Sequence, residues 1–284
     1  MTEENTEADA PRKEDFVRSL ANGLKILEAF AAGEPRMTLS EVARRTGLSR
    51  ASSRRMLHTL VHQGYATTDG RDFSLTPQVL NLGMGFSAGG GLRDVLQPAL
   101  QTLARTVDES SSASVLAGTE IIYIARVHTR RIMRMDLDVG TRLPAFATSM
   151  GRILLGDLGY EELRSTLAGW HRPQLTPTTV TDVDELIALV TEARRAGFAM
   201  VDQELEAGLR SVAVPVRHPD HGVVAAMNVS VSAGLESAEE SLSRVLDPLR
   251  ECAERAELSV RAWERGTGAL TRHTARASGS IRNA

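Results

Sequence analysis

Arg50, Arg54 and Arg55 fall within six residues of one another, and His58 follows one helical turn later. Each guanidinium is a permanent cation for a phosphate and a planar fork that can bond a guanine edge twice. At about 100° per residue, Arg50, Ala51, Arg54, Arg55 and His58 occupy one sector of a helix. Ser53, Leu57 and Leu60 occupy another. The leucines would anchor such a helix while the arginines face outward, as a helix in the DNA major groove requires. A solvated surface helix would show the same arginines, so the neighbouring elements decide.

Those neighbours form a frame. Thr38-Leu39-Ser40-Glu41 is a capping box that starts a helix at Leu39. Gly47-Leu48-Ser49 makes a three-residue turn, and Ser49 caps the arginine helix, about residues 50–62. Upstream, Val17, Leu20, Leu24, Leu27 and Ala31 recur at helical spacing as far as Gly33. Downstream of Gly64, residues 65–75 read as two strands around Asp69-Gly70, a strong hairpin signal. Arg71 at the tip would reach a phosphate or the minor groove. This is a winged helix-turn-helix over residues 16–76, with Ser49, Arg50, Ala51, Arg54, Arg55, His58 and Arg71 as its DNA face. Pro77 opens a linker helix, about 78–87, which ends at Gly89-Gly90-Gly91, so residues 77–91 form a linker and hinge.

Residues suited to catalysis or metal binding are sparse. Ser149 lacks the flanking glycines of a nucleophile elbow. His58 and His62 are four apart on a helix but have no glutamate between them in the second position. His218 and His221 fall in a polar turn and read as solvated. Asn228-Val-Ser230 matches a glycosylation acceptor, which has no meaning in a cytoplasmic protein. Cys252 is the only cysteine, so neither an internal disulfide nor a cysteine metal cluster is possible. No glycine-rich phosphate loop is present. The sequence predicts no enzyme activity, no metal and no cofactor.

With 284 residues, 42% of them hydrophobic, the chain can bury two cores. No apolar run approaches the roughly 20 residues of a membrane helix. The acidic start reads as no signal peptide, and a cytoplasmic location is expected. The net charge of −3 hides a partition. Residues 16–93 hold ten basic and five acidic side chains, whereas residues 94–263 hold seventeen and twenty-four. Residues 1–15 and 264–284 read as disordered tails. Residues 92–263 mix helices (93–107, 148–158, 184–195, 236–263) with strands (112–116, 121–127, 132–139, 198–202, 211–216, 223–231). The predicted fold class is therefore α+β: a winged helix, a linker helix and a domain around an antiparallel sheet.

Several segments carry a family resemblance. They are Ser19-Leu-Ala-Asn-Gly-Leu-Lys-Ile-Leu27, Leu39-Ser-Glu-Val-Ala43, Gly47-Leu-Ser-Arg50, Leu143-Pro-Ala-Phe-Ala-Thr-Ser-Met-Gly-Arg152, Val201-Asp-Gln-Glu204 and Gly208-Leu-Arg-Ser-Val-Ala-Val-Pro215. Over about residues 16–263 the chain resembles the IclR family of bacterial transcription regulators. Thr129-Arg-Arg-Ile-Met133, Val139-Gly-Thr-Arg-Leu-Pro-Ala145 and Ala226-Met-Asn-Val-Ser230 bring it closest to the Pca and Pob subgroup. The resemblance implies a GAF-like effector domain at residues 92–263, and homodimers or dimers of dimers on a palindromic double-stranded DNA operator. It also implies control of aromatic-acid catabolism, with protocatechuate, β-ketoadipate or a related carboxylic acid as effector.

Carried over from the family, the effector-binding positions are Ser149, Met150, Asp202, Ser211, Asn228 and Ser230. Ser149 would add a hydroxyl to the N–H groups of a helix start. Asn228 and Ser230, two apart on a strand, share a face, and Met150 offers an adaptable apolar wall. Arg126, Arg130, Arg131, Arg134 and Arg142 form a basic cluster in an acidic domain. Arg134 is the best placed of these to meet an effector carboxylate, and the others suit a surface or subunit contact. The alternative function is a GAF-like sensor or scaffold whose winged helix binds protein rather than DNA.

Overall fold

The computed structural model describes residues 16–31, 34–82, 91–129 and 137–267. The chain divides into two compact units, residues 1–88 and 89–284.

The first unit runs α1 (Arg18–Ala31), β1 (Met37–Thr38), α2 (Leu39–Thr46), α3 (Arg50–His62), β2 (Ala66–Thr68) and β3 (Asp72–Leu75). Its core is Ile26, Phe30, Met37, Val42, Leu57 and Phe73. The capping box forms in full. Glu41 N–H donates to the Thr38 hydroxyl at 3.3 Å, and the Glu41 carboxylate accepts from Thr38 N–H at 2.7 Å. The Thr38 backbone and hydroxyl hold the Glu41 carboxyl below its usual range. That contribution is present above the unfolded carboxylate's pKa and fades as pH falls through the folded one. Thr38→Ala removes the cap and should cost about 1 kcal/mol, read as a lower urea midpoint for the N-terminal unit. Gly47 closes α2 at φ +68°, where a side chain would be strained. Ser49 then caps α3, its hydroxyl accepting from Ser52 N–H at 3.2 Å.

The hairpin forms as the sequence indicates, with Asp69 folding its turn by accepting from Arg71 and Asp72 N–H. The two-residue β1 was not foreseen. It extends the sheet to the order β1-β3-β2. After Thr76 a single 3-10 turn, Pro77–Val79, passes into helical residues 80–82. The remainder of the expected linker helix, with Gly89 and Gly90, lies outside the described residues.

The second unit contains α4 (Leu92–Val107), β4 (Ser110–Ala117), β5 (Glu120–Val127), β6 (Arg142–Pro144), α5 (Ser149–Leu155), α6 (Tyr160–Ala168), α7 (Val183–Ala196), β7 (Ala199–Asp202), β8 (Leu209–His218), β9 (Gly222–Ser232) and α8 (Ala238–Thr267). The six strands pair antiparallel in the order β6-β5-β4-β9-β8-β7. Strand periodicity divides the sheet into two faces. Val212, Val214, Met227 and Val229 pack under α4 and α8 with Leu96, Leu100, Val245 and Leu249. Ala213 and Ala226 face the other way, in a core with Met150, Ile153, Leu186 and Val190 of α5 and α7.

Three elements differ from expectation. The strand predicted over 132–139 does not reach Val139. Residues 137–140 form a turn, in which Asp138 accepts from Thr141 N–H at 3.0 Å and Gly140 sits at φ +90°. Residues 132–136 lie outside the described residues. β6 pairs with β5 instead. Helix α6 escaped notice because it buries only Leu163 and Leu167, too few for a periodic signal. The helix expected over 148–158 spans only Ser149–Leu155.

Candidate functional site

Helix α3 separates its residues as the angular pattern required. Ser53 and Leu57 are fully buried, whereas Arg50, Ala51, Arg54, Arg55 and His58 are exposed. Arg71 is exposed at the hairpin turn. Among the described residues, Arg50, Arg54, Arg55 and Arg71 have no carboxylate within ion-pair distance, although Arg71 is near enough to Glu41 to help lower its pKa. His58 meets the Phe73 ring edge-on, centroids 6.0 Å apart, and so links the arginine helix to the wing strand. Ser49 is committed to its cap.

In the second unit, Ser149, Met150, Ser211, Asn228 and Ser230 surround one cavity, with Tyr123, Leu137, Leu205 and Leu209 completing its wall. The cavity measures about 20 Å³, room for one water molecule. Gly151 lets α5 pack closely on the 3-10 turn Ala145–Ala147 that precedes it. A Cβ there would lie 2.0 Å from the Ala145 carbonyl oxygen, so only glycine allows the approach. Thr148, not Ser149, caps α5 by accepting from Gly151 N–H. The Ser149 hydroxyl is thereby free to meet that of Ser211 at 2.8 Å. Asn228 Nδ2 donates to Ser230 Oγ at 3.3 Å, while Asn228 Oδ1 is buried with no partner among the described residues. Exchanging the amide ends would leave the nitrogen unsatisfied instead, so an unmet polar atom remains either way.

Asp202 does not line this cavity. One carboxylate oxygen accepts from Arg210 at 3.0 Å, so the aspartate already has its cation. Arg130, Arg131 and Arg134 lie outside the described residues. Arg142 pairs with Glu120 at 2.7 Å on the surface. Arg126 is different, being buried without a carboxylate at ion-pair distance among the described residues. It donates to Ser112 Oγ at 3.2 Å and lies 5.6 Å over the centroid of Tyr123. Its register places Arg126, Ser112 and Asn228 abreast across β5, β4 and β9. Burial lowers the Arg126 pKa, and burial pushes the Tyr123 hydroxyl up to about 12, which keeps the phenol neutral. Tyr123 was missed in the sequence, although it is the lone aromatic in the apolar run 121–127. Leu205 and Leu209 lie in or beside irregular chain, where no periodicity marks them, whereas Leu137 falls within the strand expected over 132–139.

The histidines of the polar turn are not solvated as expected. His218 is 5% exposed, and both rings converge on Glu264 of α8.

Residues 88–258 match the model described as the bacterial transcriptional regulator IclR C-terminal domain, and residues 19–70 match the IclR helix-turn-helix domain. The chain belongs to the IclR family of transcriptional regulators. This IclR-family chain is 42% identical over 233 residues to the Pca regulon regulatory protein of Pseudomonas putida, covering 82% of this chain and 80% of that one. It is 33% identical to the p-hydroxybenzoate hydroxylase transcriptional activator of Acinetobacter baylyi, over 85% of this chain and 91% of that one. An IclR homologue from Microbacterium hydrocarbonoxydans, solved with 4-hydroxybenzoate, is 28% identical with a TM-score of 0.74, over 86% of this chain and 99% of that one. The protein is thus an IclR-type regulator with a DNA-binding helix-turn-helix and a small-molecule effector domain. Its relatives regulate transcription and are not enzymes.

Proposed function

We propose that this IclR-family protein acts in the cytoplasm to control genes of aromatic-acid catabolism, in the protocatechuate and β-ketoadipate pathway. Its effector would be a small aromatic or aliphatic carboxylic acid bound among Ser149, Met150, Ser211, Asn228 and Ser230. The observation that carries this is the unmet, buried amide oxygen of Asn228 on a cavity wall that includes Tyr123, Ser149, Ser211 and Ser230. Such an atom costs about 1–3 kcal/mol until a ligand or water satisfies it. Identity to the Pca regulator supports the pathway. Arg126, buried beside the neutral Tyr123 hydroxyl, is the described cation best suited to the acid group.

A cavity of one water must open to admit a ring, so the effector selects a state in which Leu137, Leu205 and Leu209 have moved aside. Binding thereby changes the spacing of two winged helices on a palindromic operator. A homodimer, or a dimer of dimers, is supported by the exposed apolar side chains Phe16, Val17, Leu20 and Leu24.

Calorimetric titration with protocatechuate and β-ketoadipate tests the site. Asn228→Ala should weaken whichever acid binds by at least about tenfold, as loss of one buried hydrogen bond implies, and Ser149→Ala should weaken it less. Wild-type affinity in both variants would remove these residues from the site.

A further inference from the structure

We propose that His218, His221 and Glu264 form a binding site for a divalent transition-metal ion of the Zn²⁺ class. His218 ends β8, His221 lies in the turn before β9, and Glu264 sits in the last turns of α8. The fold brings their three ligand atoms within 4.8 Å of one another. His218 Nε2 lies 2.6 Å from one Glu264 oxygen, and His221 Nε2 lies 2.7 Å from the other. The two rings stand 4.9 Å apart, tilted by 34°. Two imidazole nitrogens and a carboxylate are the donors that borderline ions prefer, while magnesium and calcium favour oxygen alone. Three protein ligands leave a fourth tetrahedral position for water.

The required rearrangement is small. Zinc ligands at about 2.0–2.1 Å stand roughly 3.3 Å from one another, so Glu264 must withdraw by less than about 1 Å while ligand atoms now up to 4.8 Å apart close by roughly 1.5 Å. Its side chain is 22% exposed and that of His221 23%, which leaves both an entry path and freedom to move. His218 Nδ1 accepts from Asp220 N–H at 3.2 Å, so Nε2 carries the proton that points at Glu264. Coordination through Nε2 requires His218 in the tautomer protonated at Nδ1, and the Nε2 proton that His221 directs at Glu264 must likewise leave. The exposed Asp220 carboxylate, 4.0 Å from Nδ1, is placed to accept a hydrogen bond from Nδ1–H. That exchange replaces a backbone bond with the carboxylate–histidine–metal arrangement that orients metal ligands. The bound ion would fasten the end of α8 to the β8–β9 turn.

The test uses the full chain, stripped with chelator and titrated with ZnCl₂ in a calorimeter. One zinc per chain is expected, with at least about tenfold weaker binding in His221→Ala and in Glu264→Gln. Zinc should raise the melting temperature of the wild type but not that of either variant. MgCl₂ should give neither response. His58 and His62 are the competing pair, so a His58→Ala/His62→Ala variant should retain the zinc. No zinc binding by the wild type, or equal binding in the His221→Ala and Glu264→Gln chains, would overturn the proposal. Loss of zinc only in the His58→Ala/His62→Ala chain would overturn it equally.

Discussion

Replacing Arg54 and Arg55 together by alanine should lower operator affinity by at least about a hundredfold at physiological salt. Each lost phosphate contact removes about 0.9 from the slope of log affinity against log salt, and a dimer loses the contacts twice. A guanidinium that reads a guanine removes a further 1–3 kcal/mol or so. Both side chains are exposed and lack a carboxylate partner among the described residues, so their loss should leave folding intact. Arg54→Lys/Arg55→Lys separates the two roles. It should keep the salt slope while losing whatever the planar fork reads. Arg195→Ala, whose guanidinium already pairs with Glu192 on α7, should change nothing. Fluorescence anisotropy on DNA upstream of the gene, across a salt series, checks this. An unchanged slope in the double alanine variant would count against α3 as the contact helix. It would favour the protein-binding alternative.

Glu204→Ala should destabilise the effector domain by about 3–5 kcal/mol, the typical cost of leaving a buried charge unpaired. Arg152 and Glu204 lie 2.6 Å apart, with side chains 3% and 9% exposed. The same carboxylate oxygen accepts from Val180 N–H at 3.1 Å, so the variant also orphans a backbone donor. A domain is stable by only about 5–15 kcal/mol, so much of that margin would be lost. Glu204→Gln keeps an acceptor for Val180 and should fall between the variant and the wild type. Urea unfolding followed by circular dichroism checks the order. Because Arg152 follows Met150 on α5 and Glu204 precedes Leu205, the pair also ties two walls of the cavity together. Effector affinity should therefore fall with stability, and a Glu204→Ala chain as stable as the wild type would refute the role given to the pair.

The sequence was legible where a local rule decided the structure. Thr38, Glu41, Gly47 and Ser49 each act within a few residues of themselves, and the helices they delimit appear at the expected positions. Strand alternation placed Asn228 and Ser230 on one face for the same reason. Long-range pairing was not legible. Nothing near Arg126 in sequence announces that Ser112 and Asn228 will stand beside it. Nothing near Asp202 announces that Arg210 will neutralise it across β7 and β8. The histidine turn misled for the same reason. Its carboxylate partner is 43 residues away on α8.

The alternation along β9 also bears on engineering. Met227, Val229 and Val231 hold the strand under α4 and α8, while Asn228 and Ser230 look into the cavity. On the effector site proposed above, ligand preference and structural integrity are written on opposite sides of the same five residues. Biosensor libraries randomised at 228 and 230 can explore new inducers while the packing on which the strand depends stays untouched.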